Sequence, residues 1–199
     1  MNFRFKMYKQ NSKEKWIEAG YELFAREGLK EVRIERLARD LDLNKSSFYH
    51  YFGDIDHFFE NIIQHHKECA ERYILEIGNC RKFDPDYLLV LLRYRQNMRL
   101  HLQLLNHRDK PDFLIAHQEI NRKVDLKLKP LWVAFMDMQN MPALAMKYFQ
   151  FVRGRFYANM DIEKMDYESL HSVSIEARDL IRAMKEVPDN NLSGILKHY

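Results

Sequence analysis

Apolar residues in this chain recur at three- and four-residue spacing, the pattern of helices that bury one face. The short segment with Ile34, Leu37, Ala38 and Leu41 shows this spacing clearly. No convincing stretch alternates apolar and polar residues as a half-buried strand would. The pattern therefore predicts an all-α chain of about nine or ten helices.

The first predicted helix runs from Ser12 to Glu27. Ser12 can cap its N-terminus, and Gly28 can end it in a left-handed conformation. A glycine inside a helix costs about 1 kcal/mol relative to alanine, so Gly20 indicates a close crossing with another helix. We expect the buried face of this helix to comprise Ile17, Gly20, Leu23 and Phe24.

Two short helices joined by a tight turn are predicted between Arg33 and Phe52. Asn44 is a good N-cap for the second of them, and Phe48 and Phe52 lie four residues apart on its inner face. Its other residues suit contact with a partner: Lys45, Ser46, Ser47, Tyr49, His50 and Tyr51. Such a helix is typical of a major-groove reader, although an ordinary helical hairpin would show the same spacing.

The rest of the chain is predicted to be helical as well. Asp54 can cap a long helix from Ile55 to about Gly78. Prolines are expected to divide the chain beyond this long helix, because proline suits the first turn of a helix and disrupts its interior. We expect one helix from Pro85 to about Asn106, capped by Asp84. Pro130 and Pro142 should separate segments near 113–128, 130–139 and 142–160. A last helix should run from Asp166 to Pro188, followed by a loose tail at 190–199.

The composition is that of a soluble globular protein, with 46% apolar and 31% charged residues among 199. No apolar run approaches the length of a membrane span, and the N-terminus has no secretory signal. Cys69 and Cys80 would lie about 16 Å apart on one helix, too far for a disulfide bond. We therefore expect reduced thiols and a cytoplasmic location.

Positive charge is concentrated at the N-terminus. Residues 1–52 hold 11 Lys and Arg against 8 Asp and Glu, whereas the remaining residues hold 21 of each class. Within the first 15 residues only Glu14 opposes the basic side chains of Arg4, Lys6, Lys9, Lys13 and Lys15. A basic arm before a helical hairpin suits a polyanionic partner, although a solvated tail without a partner would look the same.

Other chemistry has little support in the sequence. His65, His66 and Cys69 have a spacing at which one helix can offer metal ligands, but no second ligand cluster accompanies them. We expect surface histidines beside an unreactive thiol, no metal and no cofactor. His101, His107 and His117 show no pattern. The chain also lacks the common nucleophile and phosphate-binding motifs, so we do not expect an enzyme.

Gly28, the I-x-x-L-A helix, the run N-K-S-S-F-Y-H-Y-F and Asp54 together resemble the TetR family of transcription regulators over about residues 12–63. The resemblance implies a three-helix helix-turn-helix DNA-binding head at 1–53, joined by a long helix to a helical-bundle ligand-binding and dimerisation body at 54–199. Three positions depart from the family pattern: Arg33 replaces Thr, Asp42 replaces Gly and Ile55 replaces Lys.

The resemblance implies a regulator that binds double-stranded operator DNA as a homodimer, paired through about 142–160 and 166–186. It does not decide between repression and activation, and we expect a repressor. The residues expected to contact DNA are Arg33, Arg36, Lys45, Ser46, Ser47, Tyr49, His50 and Tyr51. The alternatives are a helical interaction protein with a degenerate DNA-binding hairpin and a helical-bundle enzyme.

The resemblance also implies a small hydrophobic effector in the body. Large flexible and aromatic side chains can line an apolar cavity, with arginines as polar anchors, although they can equally pack a core. The expected effector-binding residues are Arg95, Met98, Arg99, Leu102, Phe113, Trp132, Phe135, Met136 and Tyr148.

Overall fold

A computed structural model describes residues 11–159 and 161–186. Its described parts contain nine α-helices and no strand, which confirms the all-α prediction. The helices are α1 Ser12–Glu27, α2 Ile34–Asp40, α3 Lys45–Phe52, α4 Ile55–Asn79, α5 Leu88–Arg93, α6 Arg95–Asn106, α7 Pro111–Phe135, α8 Pro142–Asn159 and α9 Tyr167–Glu186. The basic residues Arg4, Lys6 and Lys9, together with Pro188 and the predicted tail at 190–199, lie outside the described residues.

The chain divides into two compact units by its internal contacts. Unit 1 comprises the chain up to Leu75 together with Tyr94–Lys123, and unit 2 comprises Glu76–Arg93 and the chain from Val124 onward. Helices α4 and α7 therefore contribute residues to both units. The functional division at residues 53 and 54 stays a prediction.

Helix α1 has the predicted bounds but a different cap. Asn11, not Ser12, is the N-cap: its side chain accepts a hydrogen bond from the Lys13 amide, and Glu14 bonds back to the Asn11 amide. This reciprocal arrangement satisfies two amides that Ser12, as the first helical residue, does not reach. At the other end Gly28 adopts a φ of +89°, which favours glycine, and its amide donates to the Phe24 carbonyl.

The core of unit 1 is rich in aromatic residues. Trp16, Phe24, Phe48 and Phe58 are completely buried there. Ile17, which was expected in the buried face of α1, is only half-buried, because Trp16 occupies the inward position instead. A Cβ atom on Gly20 would lie 2.4 Å from the Phe58 ring, so the predicted close crossing is present.

Two predicted helix boundaries were wrong. The expected helix from Pro85 to Asn106 is interrupted at Tyr94, whose φ of −96° and ψ of 19° are not helical and whose ring packs 5.1 Å from that of Tyr73. A π-helical turn spans Phe83–Tyr87, with Asp84 extended inside it, and the α-helix starts only at Leu88. The Asp84 carboxylate accepts from the Tyr167 hydroxyl and bonds to His171 instead of capping a helix at Pro85.

Pro130 does not break α7, contrary to the prediction. Proline has no backbone N–H, so Pro130 cannot make its helical hydrogen bond, but Pro130 lies on the exposed side of the helix. Leu128 and Trp132, which flank Pro130 in the sequence, are buried. Packing of both flanking turns therefore outweighs the cost of an interior proline, which is about 3 kcal/mol.

Unit 2 is organised around Trp132. Its indole N–H donates to the Ala145 carbonyl over 2.8 Å, which ties α7 to α8. Phe83, Phe135 and Phe149 surround the indole ring with centroid distances of 4.9 to 5.9 Å. None of the helices in the described ranges is long and apolar enough to cross a membrane.

Candidate nucleic-acid interface

Helix α3 presents a polar outer face over a buried inner face. The Asn44 side chain accepts the Ser47 amide over 2.8 Å and so fixes the start of the helix, as predicted. Phe48 and Phe52 are buried on the inner face, which confirms their expected place in the core. On the outer face Lys45, Ser46, Tyr49 and His50 are exposed, and Tyr51 is half-buried.

The turn that aims α3 uses a left-handed residue. Asp42, at the position where the family pattern has glycine, adopts a φ of +53°. The next amide, of Leu43, donates to the Ala38 carbonyl over 2.9 Å and closes the turn. Asp is among the few residues that tolerate this region, so the turn forms without glycine.

Trp16 fixes the orientation of α3 against α1. Its indole N–H donates to the Ser47 hydroxyl oxygen over 3.3 Å, and its ring packs edge-on against Phe48 with centroids 5.2 Å apart. The Ser47 hydroxyl in turn donates to the Asn44 carbonyl over 2.8 Å. Ser47 therefore makes bonds within the head, whereas Ser46 beside it is exposed.

The spacing of apolar residues along α1 carries a signal for the burial of Trp16. Trp16, Gly20, Leu23 and Phe24 follow the same i, i+4, i+7, i+8 spacing as the rest of the buried face. Ile17 lies one position off this spacing, and a tryptophan buries more apolar area than an isoleucine.

Arg36 is held by carboxylates of the head. Its guanidinium bonds to both oxygens of Glu27, at 2.6 and 2.8 Å, and to Glu31 at 3.3 Å. The hydrogen bonds from Arg36 and Arg26 lower the pKa of Glu27 to about 2. Arg36 thus braces α2 against the end of α1, and its expected DNA contact stays a prediction.

Arg33 and Lys45 are more accessible. Arg33 donates to the Lys30 carbonyl over 3.3 Å, and its side chain is 67% exposed. Lys45 lies 3.4 Å from Glu35, with both side chains more than half exposed. A surface pair of this kind contributes little to stability, so a phosphate can replace the carboxylate at low cost.

The residues expected to bind an effector fall into two groups. One group belongs to unit 2 and consists of Trp132, Phe135, Met136 and Tyr148. The three aromatic residues of this group lie in one cluster with Phe83 and Phe149. The other five belong to unit 1: Arg95 is exposed, Arg99 and Leu102 are half-buried, Met98 is buried, and Phe113 packs against Phe24 and Phe59.

The expectation of surface histidines was wrong for His66, which is 1% exposed, and His65 beside it is half-buried. The electrostatics of the Cys69 thiol also differ from those of an unreactive one. Burial raises the pKa of this thiol, but its contacts with His65 and Arg72 outweigh burial and lower that pKa below its ordinary value. Within residues 11–159 and 161–186 no group of three or more His, Cys, Asp or Glu side chains is arranged to hold a metal ion.

Comparison with known proteins identifies the head. Residues 17–62 match the family model described as bacterial regulatory proteins, tetR family. The match covers most of α1, all of α2 and α3 and the start of α4, so the resemblance carried by these helices is confirmed. No curated protein sequence matches the chain.

A solved structure shares the fold. The crystal structure of the multidrug binding protein EbrR, complexed with imidazole, is similar to this chain with a TM-score of 0.55 and 14% sequence identity. The similarity covers 92% of this chain and 99% of the other. At this identity the match establishes the all-helical fold and nothing more specific.

Proposed function

We propose that this chain is a dimeric repressor whose operator binding is controlled by a small apolar effector. Its head matches the model of the TetR family, whose members are DNA-binding transcription regulators. The observation that carries the DNA-binding part is the outer face of α3. That face exposes Lys45, Ser46, Tyr49 and His50 on a helix whose start, inner face and orientation are all fixed. A preorganised helix with short polar side chains at its N-terminal end fits the major groove.

The division of labour on α3 follows from side-chain length and partners. Ser46, exposed and short at the N-terminal end, is the best candidate for a base contact. Lys45 and Tyr49 reach phosphates or sugars, and His50 or Tyr51 reaches a base or the backbone. Ser47 holds α3 to α1, and Arg33 adds a backbone contact from the N-cap of α2.

Exposed apolar side chains on α8 and α9 support the homodimer. Leu144 and Phe151 lie seven residues apart on α8 and are 51% and 59% exposed. On α9 Val173, Leu180 and Met184 share one helical face and are 36%, 54% and 64% exposed. Such paired stripes mark an interaction surface, and their helices are those through which the family resemblance implies dimerisation.

Selection of bound duplexes from a random DNA library, with sedimentation of the free chain, tests the proposal. A dimer should select a near-palindromic site with half-sites about 34–36 Å apart or a multiple of that distance. Run-off transcription from a promoter that carries the site should then fall as protein is added. A monomer at micromolar concentration that selects no sequence would support the alternative of an interaction protein with a degenerate hairpin.

The effector part of the proposal rests on the aromatic cluster of unit 2 around Trp132. The protein with the shared fold is described as multidrug binding, which fits an apolar site in this architecture. Titration with a library of apolar compounds should change Trp132 fluorescence, raise the thermal midpoint and release DNA for at least one compound. A library in which no compound changes any of these signals would contradict the effector control.

A further inference from the structure

Helix α8 carries a glycine inside its regular turns. The helix runs from Pro142 to Asn159, and Gly154 lies five residues before its end. Glycine is among the poorest helix formers, because its backbone loses the most conformational freedom on folding. A glycine at this position therefore calls for a structural reason.

The glycines of the DNA-binding head have such a reason, whereas Gly154 has none within its own chain. Gly28 and Gly53 adopt φ values of +89° and +75°, and a Cβ atom on Gly20 would lie 2.4 Å from the Phe58 ring. Gly154 has no positive φ. In the ranges 11–159 and 161–186, a Cβ atom on Gly154 would meet no atom within 4 Å beyond its own helical backbone and chain neighbours. We call this open space the Gly154 notch.

The Gly154 notch lies beside an exposed aromatic ring. Phe151 precedes Gly154 by three residues, a spacing that puts both residues on one face of the helix. The Phe151 side chain is 59% exposed, although a large aromatic side chain is most stabilising when it is buried. Gly154 is exposed as well. This face of α8 therefore presents a projecting ring next to a depression.

The Phe151 ring is oriented by its own chain. It stacks on the ring of Tyr148, with centroids 6.4 Å apart and an interplanar angle of 20°. The Tyr148 hydroxyl donates to the Ala177 carbonyl over 3.0 Å and so joins α8 to α9. Because the ring is already held in place, binding through it costs less conformational entropy than binding through a free side chain.

The charges beside the two apolar stripes indicate what covers them. Helix α8 has no acidic residue, and it exposes Lys147 and Arg155 beside its stripe. On α9 the exposed Glu176 lies between Val173 and Leu180 of the other stripe. Opposite charges on the two helices favour an arrangement in which α8 of one copy lies beside α9 of another. The occupant that fits both stripes is therefore a second copy of this chain.

Two-fold symmetry makes the ring and the notch complementary. In a two-fold interface residue i contacts residue j of the partner, and j contacts i in return. Phe151 and Gly154 are separated by less than one helical turn, so an axis that passes between them brings each ring to the opposite notch. Two rings then leave water, and the helices approach closely because no Cβ atom separates them.

We propose that Phe151 of each subunit packs into the notch at Gly154 of the partner subunit, and that this reciprocal pair is the centre of the dimer interface. The proposal rests on the homodimer of the proposed function and names the residues at which its two α8 helices cross. It gives Gly154 the structural reason that the single chain lacks.

Sedimentation equilibrium of the full chain tests this pairing. Gly154→Ala should raise the dissociation constant of the dimer at least about thirtyfold, because a methyl group in each notch overpacks two contacts per dimer. Gly78→Ala is the matched control and should leave the constant unchanged. Gly78 is exposed near the end of α4, outside both stripes, and a Cβ atom there would make ordinary contact with the Lys127 side chain at 3.5 Å.

The same variant distinguishes a blocked contact from a folding defect. Alanine is the better helix former, so the helix content of Gly154→Ala by circular dichroism should equal or exceed that of the wild type. A dissociation constant that stays the same or falls in Gly154→Ala would overturn the pairing, because the added methyl group would then meet no partner.

A double-mutant cycle tests the contact between ring and notch. Phe151→Leu keeps an apolar side chain but shortens it, and should weaken the dimer about tenfold. The shorter side chain leaves room for a methyl group, so adding Gly154→Ala to Phe151→Leu should weaken the dimer far less than thirtyfold. Equal effects of Gly154→Ala in both backgrounds would overturn the reciprocal pair.

The state of the wild-type chain separates this pairing from the proposed function. A wild-type monomer at micromolar concentration overturns the homodimer of the proposed function and the pairing together. A wild-type dimer that does not respond to Gly154→Ala overturns the pairing alone and leaves a homodimer through α8 and α9 standing. Growth beyond the dimer as concentration rises would overturn the two-fold arrangement, because a closed pair leaves no free stripe.

Discussion

Asp42 shows how one residue sets the geometry of the reading helix. Its φ of +53° is required by the turn between α2 and α3, and a β-branched residue cannot adopt it without strain. We expect Asp42→Val to lower the free energy of unfolding by about 1–2 kcal/mol. Asp42→Gly should be tolerated, because glycine adopts this φ freely. Chemical denaturation of both variants checks this, and equal midpoints for Val and Gly would contradict it.

The sequence predicted those features of single residues that depend only on residues a few positions away along the chain. The Asn44 cap, the inward Phe48 and Phe52 and the close approach at Gly20 all follow from spacing within a few residues. The Trp16 bond to Ser47, the Tyr21 bond to His66 and the His66 bond to His101 join residues 31 or more positions apart. No local spacing predicts such pairings, so they required the fold.

At the scale of elements, α1 and α3 act as a pair through the Trp16 and Ser47 side chains. Trp16→Phe and Ser47→Ala should each lower the unfolding free energy by about 1 kcal/mol through the shared hydrogen bond. Trp16→Phe adds the cost of a cavity in the buried core, and Ser47→Ala adds the loss of the Ser47 bond to the Asn44 carbonyl. Because the two changes break the same bond, the double variant should be less destabilised than the sum of the two. Additive effects in this double-mutant cycle would show that the bond does not couple the helices.

Helix boundaries were predictable where a cap or turn residue decides them, and not where packing decides. Pro142 and Asp166 mark the starts of α8 and α9 as expected. Pro130 stays inside α7 because buried residues continue on both sides of it, and the interruption at Tyr94 coincides with the change from unit 2 to unit 1. The residues next to Pro130 and Tyr94 in the sequence reveal neither the packing around α7 nor the division into two units.

At the scale of the whole molecule, the proposed homodimer buries the apolar stripes of α8 and α9. Leu180→Glu should weaken dimerisation at least about a hundredfold, because each dimer loses two leucine contacts worth roughly 1.5–3 kcal/mol apiece. Leu126→Glu is the matched control, since Leu126 is 70% exposed on α7 and outside both stripes. Sedimentation equilibrium would contradict the assignment if both variants dimerise equally well.

The central claim is that α3 reads DNA, and the salt dependence of binding to the selected operator tests it most directly. Lys45→Ala should weaken binding to all sequences about equally and reduce the slope of log K against log salt by about one for each head bound. Tyr49→Ala should weaken binding without changing that slope, and Lys129→Ala, which removes an exposed charge from α7, should change neither. If Lys45→Ala and Tyr49→Ala both keep the wild-type affinity and slope while the variants remain folded, α3 is not the reading helix.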